Sequence, residues 1–344
     1  VPGIPKGTVA LATILLGSTQ IQQVRFGTTQ IWANEVVVVL ANTSNVTLKN
    51  LFTSVQWANV NLKKRVVVPV GVEVKATVNA FAILATVQAD GLAGSWAGSL
   101  TLEVRGTVSG IGGAANSGVG GSVINVNFTG RNGEKLQLNL IGGTWRAGGG
   151  GGGRAGNGGQ GLWYSARTVT EGPYYQLGAP AYYWYANTST LQAQVWWNTT
   201  LVATTSSSTT AVASGGYTYY RSSASTSDGP ETYYYIYRTY LVYDVPNYTA
   251  GGVAGNGGRG QGCDGAAAVG AAAAGGGTNA GASGKSGDGA AYGGTGQTGA
   301  NGSTGNYTGG TAGAAGGLPG FYLTGAANSN FTNTGGTVLG RLAA

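Results

Sequence analysis

The sequence predicts an all-β fold. It reads as an N-terminal β-meander, a β-sandwich or solenoid-like β-domain, and a polyglycine-II helix bundle that carries an inserted aromatic-rich β-domain. Three observations predict it. Short valine-rich runs follow one another from Val36 to Leu140, glycine returns every third residue after Gly281, and 16 of the 19 tyrosines fall between Leu162 and Thr249. No long helical periodicity competes with these signals.

Composition sets the limits. Of 344 residues, 66 are glycine and only 8% are charged, which is not ordinary enzyme composition. Disordered chains combine few aromatics with high net charge, whereas aromatics here reach 10%, so an ordered chain is expected. Histidine is absent and Cys263 is the single cysteine. An intrachain disulfide is therefore excluded, and zinc, haem and Ser-His-Asp chemistry lose their usual ligands and base; no metal and no cofactor are expected. The net charge of +7 is concentrated in residues 1 to 160, with 12 basic and 5 acidic side chains. Its one basic cluster, Lys63-Lys64-Arg65, precedes an alternating valine run and reads as a solvated strand end, too small a patch for nucleic acid. No apolar run reaches the roughly 18 residues of a membrane span, so no membrane insertion is expected, and the N-terminus reads as the start of a mature protein.

The elements follow in order. In LGSTQIQQVRFGTTQIW (16 to 32) the motif Leu16-Gly17-Ser18-Thr19-Gln20-Ile21 returns as Phe26-Gly27-Thr28-Thr29-Gln30-Ile31, which predicts three short strands joined by two turns, each opening on glycine. From 36 to 145 the runs VVVVL, NVTLKNLF, RVVVPVGVEVKAT, FAILATV, SLTLEVRGTVSG, SVINVNFTG and KLQLNLIGG read as strands. Val66, Val68, Val70, Val72 and Val74 are expected on one face. Spacing of this kind argues for a sandwich or a stacked, solenoid-like structure.

The glycine-rich module covers 146 to 161 and 250 to 320. The stretch AGNGG occurs at both borders of the aromatic block, at 155 to 159 and 254 to 258, so the block at 162 to 249 reads as an insertion into one module. Gly281, Gly284 and Gly287 are three apart, as are Gly293, Gly296, Gly299, Gly302 and Gly305, and then Gly310, Gly313 and Gly316. Three is the period of a polyproline-II-type helix. Collagen is excluded because no proline lies between Pro246 and Pro319. A threefold helix has no internal hydrogen bonds, so buried copies must bond to one another, and inward glycines let the backbones approach. After Pro319 the alternation resumes, and 321 to 344 reads as a return strand closing the module.

Motifs for nucleotide chemistry are weak. Two G-x-G-x-x-G matches, at Gly255 and Gly294, neither follow a strand nor open a helix, and Gly284-Lys285-Ser286 has Asn279 where a phosphate-binding loop needs glycine. The acids Glu171, Asp228, Glu231 and Asp244 could in principle pair for glycoside hydrolysis, but Glu171-Gly172-Pro173 and Asp228-Gly229-Pro230-Glu231 read as solvated turns. Aromatic rings beside Asn, Ser, Thr and Arg give rigid contact surface. Residues expected on loops, namely Tyr174, Tyr175, Tyr182, Tyr183, Trp184, Trp196, Trp197, Tyr219, Tyr220 and Arg221, are the candidates for binding; the competing reading places alternate tyrosines in the core of a small β-domain.

The N-terminal pattern of hydrophobic residue, Gly, Ser/Thr, Thr, polar residue, Ile and Trp, together with LTLEVRGTVSGIGGAANSGVGG at 100 to 121, resembles glycine-rich tail-fibre proteins of tailed bacteriophages. The threefold glycine rows are similar to those of T-even-like tail-fibre adhesins, which pack polyglycine-II helices and bind the receptor with the connecting loops. The aromatic insertion departs from that pattern. The resemblance implies a non-enzymatic virion protein, assembled in the bacterial cytoplasm and exposed on the particle. It implies a homotrimer that attaches to other virion proteins through residues 1 to 35, with Phe26, Gly27, Ile31 and Trp32 as attachment candidates, and that binds a host cell-surface glycan or protein. A head fibre or capsid decoration protein is the alternative, and a depolymerising tailspike a more distant one.

Overall fold

A computed structural model describes residues 14–16, 19–21, 23–26, 29–33, 35–77, 81–86, 91–228 and 230–343. It divides into two compact units, one formed by residues 1–161 with 249–344 and the other by 162–248.

In the first unit, β1 (Ile14–Leu16) pairs antiparallel with β2 (Thr19–Ile21), and β3 (Gln23–Phe26) with β4 (Thr29–Ala33). The expected meander of three strands is instead two hairpins, because each repeat of the motif closes its own pair. Phe26 lies in β3, Ile31 and Trp32 lie in β4, and Gly27 lies outside the described residues.

Residues 35 to 146 then wind into coils, each contributing one strand to each of three sheets. The first coil is β5 (Glu35–Val39), β6 (Thr43–Ser44) and β7 (Val46–Thr47); the second is β8 (Lys63–Val68), β9 (Glu73–Lys75) and β10 (Ile83–Leu84). The third is β11 (Leu100–Val104), β12 (Thr107–Ser109) and β13 (Ile124–Asn125), and the fourth begins with β14 (Leu136–Ile141) and β15 (Thr144–Arg146). Its third strand is β23 (Phe321–Thr324), and a fifth coil follows as β24 (Ser329–Thr334), β25 (Thr337–Leu339) and β26 (Arg341–Leu342). The sheet orders β24-β14-β11-β8-β5, β25-β15-β12-β9-β6 and β26-β23-β13-β10-β7 are parallel throughout. This is a three-sheet β-solenoid and not a sandwich. Residues 321 to 342 are its last strands rather than a separate ending.

The core is built of ladders that equivalent positions stack from coil to coil. Val66, Leu102 and Leu138 are in register, as are Val74, Val108 and Trp145, and Ile83, Ile124 and Leu323; all are buried. The valine run departs from the expected single face. Val66 and Val68 end β8, Val74 lies in β9, and between them the chain turns a corner, with Val72 N–H donating to Pro69 O and Gly71 at φ +80°. Val70, at the tip of that turn, is exposed.

Lys64 corrects the sequence reading most sharply. It occupies the inward register position of Leu100 and Leu136 and is 1% exposed, not part of a solvated strand end. Its ammonium donates to Asn59 O at 3.1 Å, Leu62 O at 2.9 Å and Ala97 O at 2.7 Å, so each proton has an acceptor. Burial lowers its pKa to about 8, with Glu134 opposing.

Between β15 and β23 the chain leaves the solenoid as straight glycine-rich segments. Segment 148–161 exchanges hydrogen bonds with six neighbours: 110–113, 117–121, 250–262, 279–291, 294–305 and 308–320. The bonds recur at every third residue. Gly150, Gly153, Gly156 and Gly159 donate to Gly294, Gln297, Ala300 and Ser303, while Gly281, Gly284, Gly287 and Ala290 donate back to Gly159, Gly156, Gly153 and Gly150. Each backbone N–H so paired is satisfied although it is buried away from water.

Position in this array explains GGGGGGRAGNGGQG. Residues 148 to 153 are buried on every side, because 110–121 covers them as well; Gly148 and Gly151 donate to Gly121 and Gly118. That neighbour turns away at Ala114–Gly118. Beyond it, every third residue of the segment, Arg154, Asn157 and Gln160, is exposed and again carries a side chain. Asn256, in the second AGNGG, is exposed in the same way. Of the eleven predicted row glycines, ten abut a neighbouring backbone carbonyl; an added Cβ would lie 2.0 Å from Ser303 O at Gly281 and 1.9 Å from Gly296 O at Gly316. Gly293 differs, sitting at φ +70° in the turn between two segments.

Candidate functional site

The second unit is a seven-stranded antiparallel sheet. Its strands are β16 (Gly161–Tyr174), β17 (Tyr182–Asn187), β18 (Gln192–Trp197), β19 (Thr200–Ser206), β20 (Ala211–Ser214), β21 (Tyr217–Asp228) and β22 (Glu231–Thr249), in the order β19-β18-β17-β22-β21-β20 with β16 also on β22. Two-residue turns set the hairpins. Asn198 and Thr199 join β18 to β19 with φ of 49° and 67°, and Gly215 and Gly216 join β20 to β21 with φ of 60° and 84°, the positive pair that a type I′ turn demands. Asn187 Oδ1 accepts from Ser189 N and Thr190 N and starts the β17–β18 turn.

Strand geometry corrects the expectation that the binding candidates are loop-borne. Tyr175 follows the end of β16; Tyr174 is its last residue, Tyr182, Tyr183 and Trp184 lie in β17, Trp196 and Trp197 in β18, and Tyr219, Tyr220 and Arg221 in β21. Successive side chains in a strand point to opposite faces, so each aromatic doublet is divided. Trp184, Trp197 and Tyr219 are buried with Ile236 and Val195 in the core. Tyr183, Trp196 and Tyr220 go to the other face, half-buried. There Tyr183 stacks on Trp196 at 6.1 Å and meets Tyr233 edge-on at 5.7 Å, Tyr175 meets Tyr235 at 5.2 Å, and Tyr220 stacks on Tyr237 at 5.1 Å. Arg221 lies 4.5 Å over the Tyr234 ring and donates to Ser207 O, which fixes it in place.

An open cleft of about 630 Å3 lies at the end of the core face, lined by Glu171, Tyr174, Tyr182, Trp197, Asn198 and Arg238 among others. Gln176 and Tyr182, both in its lining, exchange reciprocal backbone bonds that close the base of the connection 177 to 181. Tyr174 meets Tyr182 at 5.4 Å and Trp197 at 5.6 Å, and Tyr182 crosses Trp197 edge-on at 5.2 Å. Arg238 donates to Glu171 Oε2 at 2.8 Å, and the Tyr240 hydroxyl to Oε1 at 3.1 Å. Burial opposes the Arg238 charge, but Glu171, with Tyr219 and Tyr217, outweighs it and the pKa lies above the usual value. The hydrogen bond to Glu171 likewise raises Tyr240.

Asp228 and Glu231 flank the turn that joins β21 to β22, as expected, but Glu171 is not in a turn, and Glu171, Glu231 and Asp244 are not free. Glu171 is inside β16, Glu231 accepts from the Tyr185 and Tyr233 hydroxyls at 2.9 and 3.0 Å, and Asp244 pairs with Arg167. Burial together with Glu231 pushes the Tyr233 hydroxyl up to about 12. Arg238, Gln176 and Asn198 were not among the candidates read from the sequence. Alternation in TYYYIYRTYLVYD does place Arg238 on the Ile236 face, but its meeting with Glu171, 67 residues away in sequence, depends on strand pairing.

Compared with known proteins, the chain matches no family model, no curated protein and no solved structure.

Proposed function

We propose that this chain is a structural virion protein of a tailed bacteriophage, a tail fibre or receptor-binding adhesin that holds the particle to the host cell surface by non-catalytic binding. The glycine-rich segments act in it as polyglycine-II helices, making a stiff support in which lateral backbone bonds replace an apolar core. The observation that carries this reading is segment 148–161, bonded to six neighbours with a repeat of three residues, the period of a polyproline-II-type helix. The tight turns at 275–279 and 305–308 lie at the end where the chain leaves at Gly161 and returns at Thr249; Tyr307 N–H donates to Gln160 O, and Thr249 Oγ1 to Thr278 O. The aromatic unit is an insertion in the chain between Gly161 and Thr249. In the reading proposed here the N-terminal hairpins attach to the particle, the protein acts as a homotrimer, and several copies raise avidity. Non-catalytic binding is supported by the occupation of Glu171, Glu231 and Asp244 by arginine or tyrosine partners.

The test is adsorption. Labelled full-length protein is incubated with a panel of bacterial strains beside a chain whose residues 162–248 are replaced by a short Gly-Ser linker. Saturable adsorption to particular strains, lost with the deletion, is expected. Adsorption to none of the strains would refute the adhesin reading, and equal adsorption by both chains would move the contact to the glycine turns.

A further inference from the structure

The geometry of the cleft points to its ligand class: it receives an uncharged pyranose unit of a cell-surface saccharide. This rests on the adhesin reading and specifies the ligand of its aromatic unit.

The apolar wall is present. Tyr174 and Tyr182 supply it, their rings 5.4 Å apart and each packed edge-on against the buried Trp197 at 5.6 and 5.2 Å, and Tyr174 is exposed. The C–H face of a pyranose packs on such a surface. The polar groups suit hydroxyls rather than ions. Gln176 and Asn198 are amides, each able to donate and accept, as a sugar hydroxyl does. Asn198 Oδ1 already accepts from the Tyr182 hydroxyl at 3.2 Å, which leaves its amide protons for a ligand oxygen. Glu171 keeps lone pairs beyond those used by Arg238 and Tyr240, and a charged acceptor makes the stronger hydrogen bond.

Charge decides between neutral and acidic sugars. The cation in the cleft, Arg238, is engaged by Glu171 and covered by Trp197 at 4.4 Å and Tyr217 at 4.0 Å. A ligand carboxylate would have to displace Glu171 and would face its charge. A neutral sugar disturbs nothing. The cleft volume of about 630 Å3 falls within the range of small-molecule sites, about 300–1,000 Å3, and takes one or two rings. The walls are set before binding, since Arg238 is clamped between rings and Asn198 is fixed in a two-residue turn.

The experiment titrates the full chain with neutral disaccharides ending in glucose, galactose, mannose or N-acetylglucosamine, and with glucuronic and galacturonic counterparts, read by saturation-transfer NMR and calorimetry. At least one neutral disaccharide is expected to bind with a millimolar or lower Kd. Tyr174→Ala and Gln176→Ala should each weaken it tenfold or more while leaving thermal unfolding within a few degrees; Tyr243→Ala, exposed outside the cleft, should leave it unchanged. Binding of the uronic sugars alone, or of no sugar, overturns the inference. Strain adsorption that persists without any sugar binding, and is abolished by protease treatment of the cells, overturns it in favour of a protein receptor and leaves the adhesin reading standing. Absence of adsorption refutes the adhesin reading itself.

Discussion

Arg238 holds its guanidinium 4.4 Å from the centre of the Trp197 ring. Tyr217 approaches the same guanidinium at 4.0 Å, and Glu171 binds it in the plane at 2.8 Å. A flat, delocalised cation satisfies all three contacts, whereas an ammonium cannot stack and bond in one orientation.

Arg238→Lys is therefore expected to destabilise the aromatic unit by about 1 kcal/mol through the lost stacking. Arg238→Ala is expected to cost about 2–3 kcal/mol, because Glu171 loses its cation and both rings lose their cover. Urea unfolding followed by tryptophan fluorescence checks both. A lysine variant as stable as wild type would contradict the stacking account.

Backbone contact, not flexibility, is what the row glycines provide. In Gly156→Ala the added methyl would lie 1.8 Å from Thr311 O, so segments must separate, at a cost of about 3 kcal/mol or more. Gly309 has nothing within 4 Å of the same position; Gly309→Ala is expected to be neutral or to stabilise by about 0.5 kcal/mol, by restricting the unfolded chain. Thermal unfolding separates the two. Hydrogen exchange should also place the amides of 148 to 153 among the slowest.

Lys64 is expected to give the solenoid a pH dependence whose sign follows from its burial. Its folded pKa, about 8, is depressed from 10.5, so between these values the unfolded chain holds more protons and stability rises with pH. The contribution is complete above pH 10.5 and is lost as pH falls through 8, an effect of about 3 kcal/mol. The difference in unfolding free energy between wild type and Lys64→Met, measured from pH 7 to 11, should change in this sense. A flat difference would show that the three carbonyl acceptors keep the folded pKa near its ordinary value.

Local rules made much of the fold readable. Alternating Val and Leu mark the strands of the coils, because one face of each is buried in stacked ladders. The period of three in the glycines marks segments whose inward atoms touch a neighbouring backbone, and the division of TYYYIYRTYLVYD into two faces follows from the pleat alone. The binding candidates were less readable. Trp184, Trp197 and Tyr219 have the composition of a contact surface yet are buried, since composition does not say which face meets the core.

The sequence by itself determined that the chain is all-β, where glycine recurs, and which aromatics fall on opposite faces of a strand, since each depends on residues near one another in the chain. Tertiary structure alone decided the rest. It placed residues 321 to 342 as the last coils of the solenoid, put Lys64 in a core ladder, surrounded Gly148–Gly153 with neighbours from six separate segments, and brought Glu171 to Arg238. These are contacts between distant parts of the chain, and their energies depend on register and packing that no local pattern encodes.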